Sequence, residues 1–253
     1  MGKLILFFFF AFTSLLGWTQ SLSTIVLDKA AREVQTDVFG NAYVILDDGA
    51  IQKYSAQGIL MAHFRESGWG IPSQLDVLNP LNPIVFYSGK GFVQEFDNNL
   101  TPIFQLNLEG GFTRASLVAR SSDGNFWWFR ERDRTLVKIN RAGQTLLEGT
   151  TLDFLGTPQS LLPTFLFETI EKNGIKVQLY DPQSGLYTFG ANAQFLLRRA
   201  DVRMDAWFRC GKNWGFSSGE KSFSGEAFSN TPLTKPLCSD RWKLVGNRLR
   251  KDE

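Results

Sequence analysis

Ala42-Tyr43-Val44-Ile45-Leu46, then Asp47-Asp48-Gly49, then Ile51 and Tyr54 three places apart: residues 42 to 54 spell an apolar strand, a tight polar turn and the start of a second strand. The same phrase returns three times. Its strands are Pro83 to Tyr87, Asn125 to Phe129 and Ile175 to Tyr180, and its apolar pairs are Val93/Phe96, Leu136/Ile139 and Leu186/Phe189. The pairs recur at intervals of 42, 43 and 50 residues. A period of 40 to 50 residues made only of short strands is the mark of a β-propeller with one four-stranded blade per repeat.

Working outward from these second strands, the innermost strands are predicted at Glu33 to Asp37, Gln74 to Leu78, Ala115 to Arg120 and Thr164 to Thr169. The outermost are predicted at Ile59 to Phe64, Pro102 to Leu106, Thr145 to Glu148 and Gln194 to Leu197. Turns between first and second strands use residues that tolerate positive φ, as in Phe39-Gly40-Asn41, Asp123-Gly124-Asn125 and Asn173-Gly174. A fifth, less regular unit is laid on Ala206 to Cys210, Trp214 to Ser218 and Ser222 to Phe228, with Trp242 to Val245 as a last strand. The fold expected is all-β, a propeller of about five four-stranded blades, irregular or incompletely closed at its C-terminal end. Ser23 to Leu27 has no repeat of its own, and is expected to complete the ring or cap its edge, since an open ring exposes sheet edges.

The ends read differently. Lys3 followed by the apolar run Leu4 to Leu16 is too short to span a bilayer and fits a signal-peptide core. Residues 1–20 are therefore expected to be a cleaved export signal and residues 21–240 the propeller, with no transmembrane segment once the signal is removed. Residues 241–253, with Arg241, Lys243, Arg248, Arg250 and Lys251, are expected to be a solvated basic tail. The formal net charge of +2 falls to +1 without Lys3, too small to steer nucleic acid. Cys210 and Cys238 are the two cysteines of an exported chain, and are expected to pair and close a Gly/Ser/Pro-rich loop. Such a staple contributes about 3 to 4 kcal/mol in the chain-entropy description.

The stretch Gln74-Leu75-Asp76-Val77-Leu78-Asn79-Pro80-Leu81-Asn82-Pro83-Ile84-Val85-Phe86-Tyr87, followed by Ser121-Ser122-Asp123-Gly124-Asn125-Phe126-Trp127, resembles a group of exported propeller-like proteins of Bacteroidota-type bacteria. The resemblance covers roughly residues 20 to 200. It implies a propeller fold and an envelope, periplasmic or secreted location, and carries no catalytic residues. The chain departs from that pattern after about Arg199.

Catalytic chemistry is thinly supplied. His63 is the one histidine, set in an outer strand beside Ala62 and Phe64, so neither a histidine metal centre nor a Ser-His-Asp triad has other histidines to draw on. Asp47-Asp48, Asp76, Glu131/Asp133 and Asp181 fall at turns or strand starts, as β-turn chemistry requires. Asp123-Gly124-Asn125 lacks the alternating ligands and closing Glu of a calcium loop. No metal and no cofactor are expected. Trp69, between Gly68 and Gly70, and the charged tip Arg130 to Arg134 stand out as loop features. In propeller topology Asp47, Asp48, Trp69 and Arg132 share one rim, which is the binding face expected for a protein or glycan of the cell envelope. The functional expectation is an exported, non-catalytic interaction or ligand-binding propeller. The alternative is a carbohydrate- or lactone-processing enzyme with carboxylates at the channel, which would need two titratable groups converging in one pocket.

Overall fold

The computed structural model describes residues 24–108, 117–152, 161–210, 213–219, 221–225 and 242–251. Blade 1 contains β2 (Ala31–Thr36), β3 (Ala42–Leu46), β4 (Ile51–Tyr54) and β5 (Leu60–Phe64), after a short β1 (Thr24–Val26). Blade 2 contains β6 (Gln74–Asp76), β7 (Ile84–Tyr87), β8 (Phe92–Phe96) and β9 (Pro102–Asn107). Blade 3 contains β10 (Leu117–Arg120), β11 (Phe126–Arg130), β12 (Thr135–Ile139) and β13 (Thr145–Glu148). Blade 4 contains β14 (Phe165–Glu171), β15 (Gly174–Asp181), β16 (Gly185–Gly190) and β17 (Phe195–Arg199). Each is an antiparallel meander in chain order. The second and third strands of blades 1 and 2 are buried throughout, whereas β5, β9, β13 and β17 alternate towards solvent. This is the gradient that stacked blades impose on an inner-to-outer strand order.

The ring has six blades, not the five expected. Blade 5 holds β18 (Ala206–Cys210), β19 (Asn213–Ser218) and β20 (Lys221–Ser224); blade 6 joins β1 to β22 (Arg248–Lys251) and β21 (Trp242–Val245). Among the described residues these two blades have three strands each. The N-terminal strand does pair with C-terminal sequence, Ile25 opposite Leu249, but in a sheet of its own rather than as an addition to blade 5. The expected basic tail is thus a hairpin. Its alternation buries Trp242 and Leu249 against Leu27, Val44 and Tyr54 while Arg248 and Arg250 face solvent. Counting charges along residues 241–253 hid that two-residue period. The hairpin is anchored to blade 1: the Trp242 amide donates to Thr36 Oγ1 (3.1 Å) and its indole N–H to the Gly40 carbonyl (3.0 Å).

Between blades, apolar side chains interleave in successive clusters, Tyr43, Ile45 and Ile51 meeting Leu75, Val85 and Phe96, then Phe86 and Val93 meeting Val118, Phe126 and Val137. Turns from third to fourth strands repeat one device. Ser55 Oγ, Asp97 Oδ1 and Asn140 Oδ1 each accept the amides two and four residues ahead. Such side chains close a turn on their own backbone. Cys238 lies outside the described residues, as does the expected leader at residues 1–20.

Candidate functional site

In this topology the second-to-third-strand turns and the connections between blades emerge on one rim. First-to-second and third-to-fourth-strand turns emerge on the other. The rim expected to bind holds the turn Asp47 to Gly49 and the connection carrying Trp69 close together: a Cβ added to Gly49, at φ +85°, would lie 2.8 Å from the Gly70 carbonyl. Asp47 pairs with Arg32 (3.0 Å). Asp48 pairs with Lys29 (2.5 Å) and Arg65 (3.2 Å), and the hydrogen bond from Lys29 holds its carboxyl below the usual range. Arg132 is exposed at the blade 3 turn, two blades away.

Trp69 is a packing residue. Its ring is half-buried and meets Tyr87 and Phe92 edge-on at 5.4 and 5.1 Å, with Phe64 at 5.4 Å, joining blades 1 and 2. The flanking glycines suggested a free loop aromatic; the apolar hole between blades pulled the ring in. Trp69→Ala is therefore expected to lower stability by about 2 kcal/mol, less than full burial would cost. Urea unfolding of the variant checks it, and a change below about 0.5 kcal/mol, the range of ordinary surface substitutions, would return Trp69 to the free surface.

Polar side chains of the inner strands tie one blade to the next through hydrogen bonds. An innermost strand leaves one row of backbone N–H groups unpaired. Glu33 and Gln74 occupy the same position in blades 1 and 2 by strand register, and each accepts an inner-strand amide of the next blade, Leu75 N at 3.3 Å and Val118 N at 3.2 Å. Asp76 likewise accepts the Arg120 amide at 2.9 Å. Burial pushes the Glu33 carboxyl up to about 7, against hydrogen bonds from Gln35 and the Leu75 amide, with Asp76 adding to the rise. The folded protein thus keeps this proton between about pH 4.5 and 7 while the unfolded chain releases it, so stability falls as pH rises through that window and stays lowered above it. Glu33→Gln, which reproduces Gln74, is expected to exceed the parent by about 2 kcal/mol at about pH 8 and to match it below about pH 4.5. Urea midpoints across pH test this, and a pH-independent difference would refute it.

On the opposite rim, between blades 2 and 3, lies a cavity of about 420 Å³. Its walls include Asn79, Asn82 and Glu95 from blade 2, and Arg120, Ser122 and Arg141 from blade 3. Glu95, on β8, is almost fully buried, and both its oxygens are taken by guanidinium groups: Oε1 by Arg120 Nη2 (2.9 Å), Oε2 by Arg141 Nη1 (2.6 Å). Arg141 lies over the Phe104 ring at 4.1 Å and Arg120 over Phe126 at 5.4 Å. Part of this arrangement is a repeated blade-to-blade pin, because Lys53, at the register position of Glu95, likewise donates to the Asn98 carbonyl (2.9 Å) in the next blade's third-to-fourth-strand turn. The addition is Arg120.

Strand register aligns Arg120 with Glu168 of blade 4. Each reaches back to the preceding blade. Glu168 is saturated there, accepting from Ser121 Oγ (2.9 Å), Ser122 N (2.8 Å) and Trp127 Nε1 (2.6 Å). Arg120 is not. Its Nη2 serves Glu95 and the Asn82 carbonyl (3.2 Å), while buried Nη1 has no partner among the described residues. Neither Arg120 nor Arg141 stands in a motif that marks a site; the available signal is an arginine closing an innermost strand. Among the described residues no three His, Cys, Asp or Glu side chains gather as metal ligands.

No protein-family model matches the chain, and no curated protein matches it in sequence. Solved structures do match in fold. A Bacteroides caccae protein of unknown function is 12% identical with a TM-score of 0.55, covering 74% of this chain and 69% of its own. A catalytically inactive virginiamycin B lyase from Staphylococcus aureus with quinupristin is 11% identical with a TM-score of 0.60, covering 88% and 76%. The Neurospora crassa Pan2 WD40 domain is 11% identical with a TM-score of 0.55, covering 81% and 66%. The chain is a β-propeller. A lyase, a WD40 domain and a protein of unknown function all share that fold with it, so likeness alone does not choose a function.

Proposed function

We propose that this chain is an exported, non-catalytic ligand-binding propeller of the cell envelope, binding through the cavity between blades 2 and 3. The observation that carries the reading is the buried Arg120 Nη1, which lacks a partner among the described residues and belongs to a side chain lining a polar cavity of about 420 Å³. A buried charged donor left unpaired is costly, and a ligand oxygen would remove that cost. This reading moves the binding face from the rim of Asp47, Asp48, Trp69 and Arg132 to the opposite one, because two of those carboxylates are ion-paired and the tryptophan is packed. Export rests on Lys3 and the Leu4 to Leu16 run.

Catalysis is disfavoured by the same geometry. The carboxylate at the cavity, Glu95, holds two guanidinium groups, and Asp76 and Glu168 accept backbone amides that structure requires. One observation favours a carbohydrate- or lactone-processing enzyme: Glu33, held protonated up to about pH 7, stands near Asp76 on the neighbouring inner strand. The test is to screen the purified mature protein against soluble envelope glycans and peptides for both binding and turnover. Saturable binding without turnover, lost in Arg120→Gln, supports the proposal; hydrolysis that disappears in Glu33→Gln or Asp76→Asn replaces it.

A further inference from the structure

We infer that the cavity between blades 2 and 3 takes the carboxylate of a small monoanionic ligand, held by Arg120 and Arg141; this rests on the ligand-binding reading above. Charge sets the sign. Two guanidinium groups and one carboxylate line the cavity, and its other lining side chains are uncharged. Behind the wall, Glu168 is bonded to Ser121 and Ser122 and Asp76 to the Arg120 amide, and Asp123 is paired with Lys138 at 2.6 Å. The lining itself presents one net positive charge. A monoanion balances it, whereas a phosphate dianion would set its second charge against Glu95, which is fixed by two ion pairs and cannot turn away.

Shape agrees with charge. Arg120 is immobilised by Glu95, the Asn82 carbonyl and the Phe126 face, so its guanidinium is held at the cavity wall without further ordering. Arg141 is half-exposed, keeps donors beyond the one used on Glu95, and is flattened over Phe104. Planar guanidinium groups match the planar carboxylate better than an ammonium would. Asn79, Asn82 and Ser122 supply neutral donors and acceptors for the rest of the molecule. Two sources present such a carboxylate, a sugar acid and a peptide C-terminus.

Saturation-transfer NMR on the mature protein separates them, with four probes and inorganic phosphate: D-glucuronate, its uncharged counterpart glucose, N-acetyl-dialanine, and the C-terminal amide of that dipeptide. Binding of one acid and neither uncharged counterpart, with phosphate weaker, is expected, and the acid that binds names the source. Arg120→Gln should weaken it at least tenfold, the scale of one charge-assisted hydrogen bond. Because removing buried Arg120 also strips Glu95 of a partner, Arg141→Gln at the exposed side is the parallel variant, with melting temperatures recorded for both. Folded Arg141→Gln with unchanged affinity overturns the assignment. So does equal binding of acid and uncharged counterpart, or tighter phosphate. Neutral glycan binding at the cavity would sink the carboxylate assignment and leave the ligand-binding reading standing, whereas failure of every envelope glycan, peptide and probe to bind would sink both.

Discussion

Trp127→Ala is expected to remove about 4 kcal/mol of stability, the scale of emptying a fully buried aromatic site. The indole is wholly enclosed between blades 3 and 4, with Leu117, Leu136, Leu166 and Leu179 in the same cluster. Its N–H donates to Glu168 Oε2 at 2.6 Å, and Lys138 Nζ sits 4.9 Å from its ring centre. Truncation thus opens a cavity and takes one of three donors from a buried carboxylate. Trp127→Phe separates the two effects: it keeps most of the packing and loses the donor, for about 2 kcal/mol. Urea unfolding followed by circular dichroism measures both. A loss below about 1 kcal/mol for Trp127→Ala would mean that the blade 3 to blade 4 contact is loose, and equal losses for the two variants would assign the whole effect to Glu168.

Trp242→Ala is expected to cost about 3 to 4 kcal/mol and to lower the cooperativity of unfolding. This residue closes the ring. Blade 6 joins β1, which runs straight on into blade 1, to the β21–β22 hairpin, so that hairpin is held non-covalently, and Trp242 supplies its backbone amide, its indole N–H and a nearly buried ring to the contact with blade 1. Losing it leaves the β2 side of blade 1 partly uncovered. The comparison that decides is Arg250→Ala, opposite Thr24 in the same sheet but exposed, where a change within about 0.5 kcal/mol is expected. A solvated tail would make both substitutions silent. A parallel urea series distinguishes the outcomes, and a silent Trp242→Ala would reopen the ring.

The second strands were legible almost residue by residue. Ala42–Leu46 forms as read, and Pro83 to Tyr87 and Asn125 to Phe129 move by one residue, to Ile84–Tyr87 and Phe126–Arg130. Continuous runs such as Tyr43-Val44-Ile45-Leu46 have one stable place in a propeller, buried on both faces between blades. Turn carboxylates were legible for a similar reason: Asp181 Oδ1 accepts the amides of Gln183 and Ser184, a local bond that needs no partner from elsewhere. His63 on an exposed strand position belongs with these.

What escaped was non-local. Pairing of Ile25 with Leu249 spans nearly the whole chain, and neither strand shows by its own composition which edge it will meet. Trp69 looked free because glycines flank it; its neighbours Tyr87 and Phe92 come from the next blade. The cavity escaped most completely. Glu95, Arg120 and Arg141 lie 25 and 21 residues apart along the chain, each in a different strand or turn, and nothing in their spacing marks a site. Local periodicity therefore determined the blades and the turns, because those depend on backbone bonds and burial within a repeat. Tertiary structure alone decided the sixth blade, the packing of Trp69 and the guanidinium pair at the cavity, because each depends on which side chains the closed ring brings face to face.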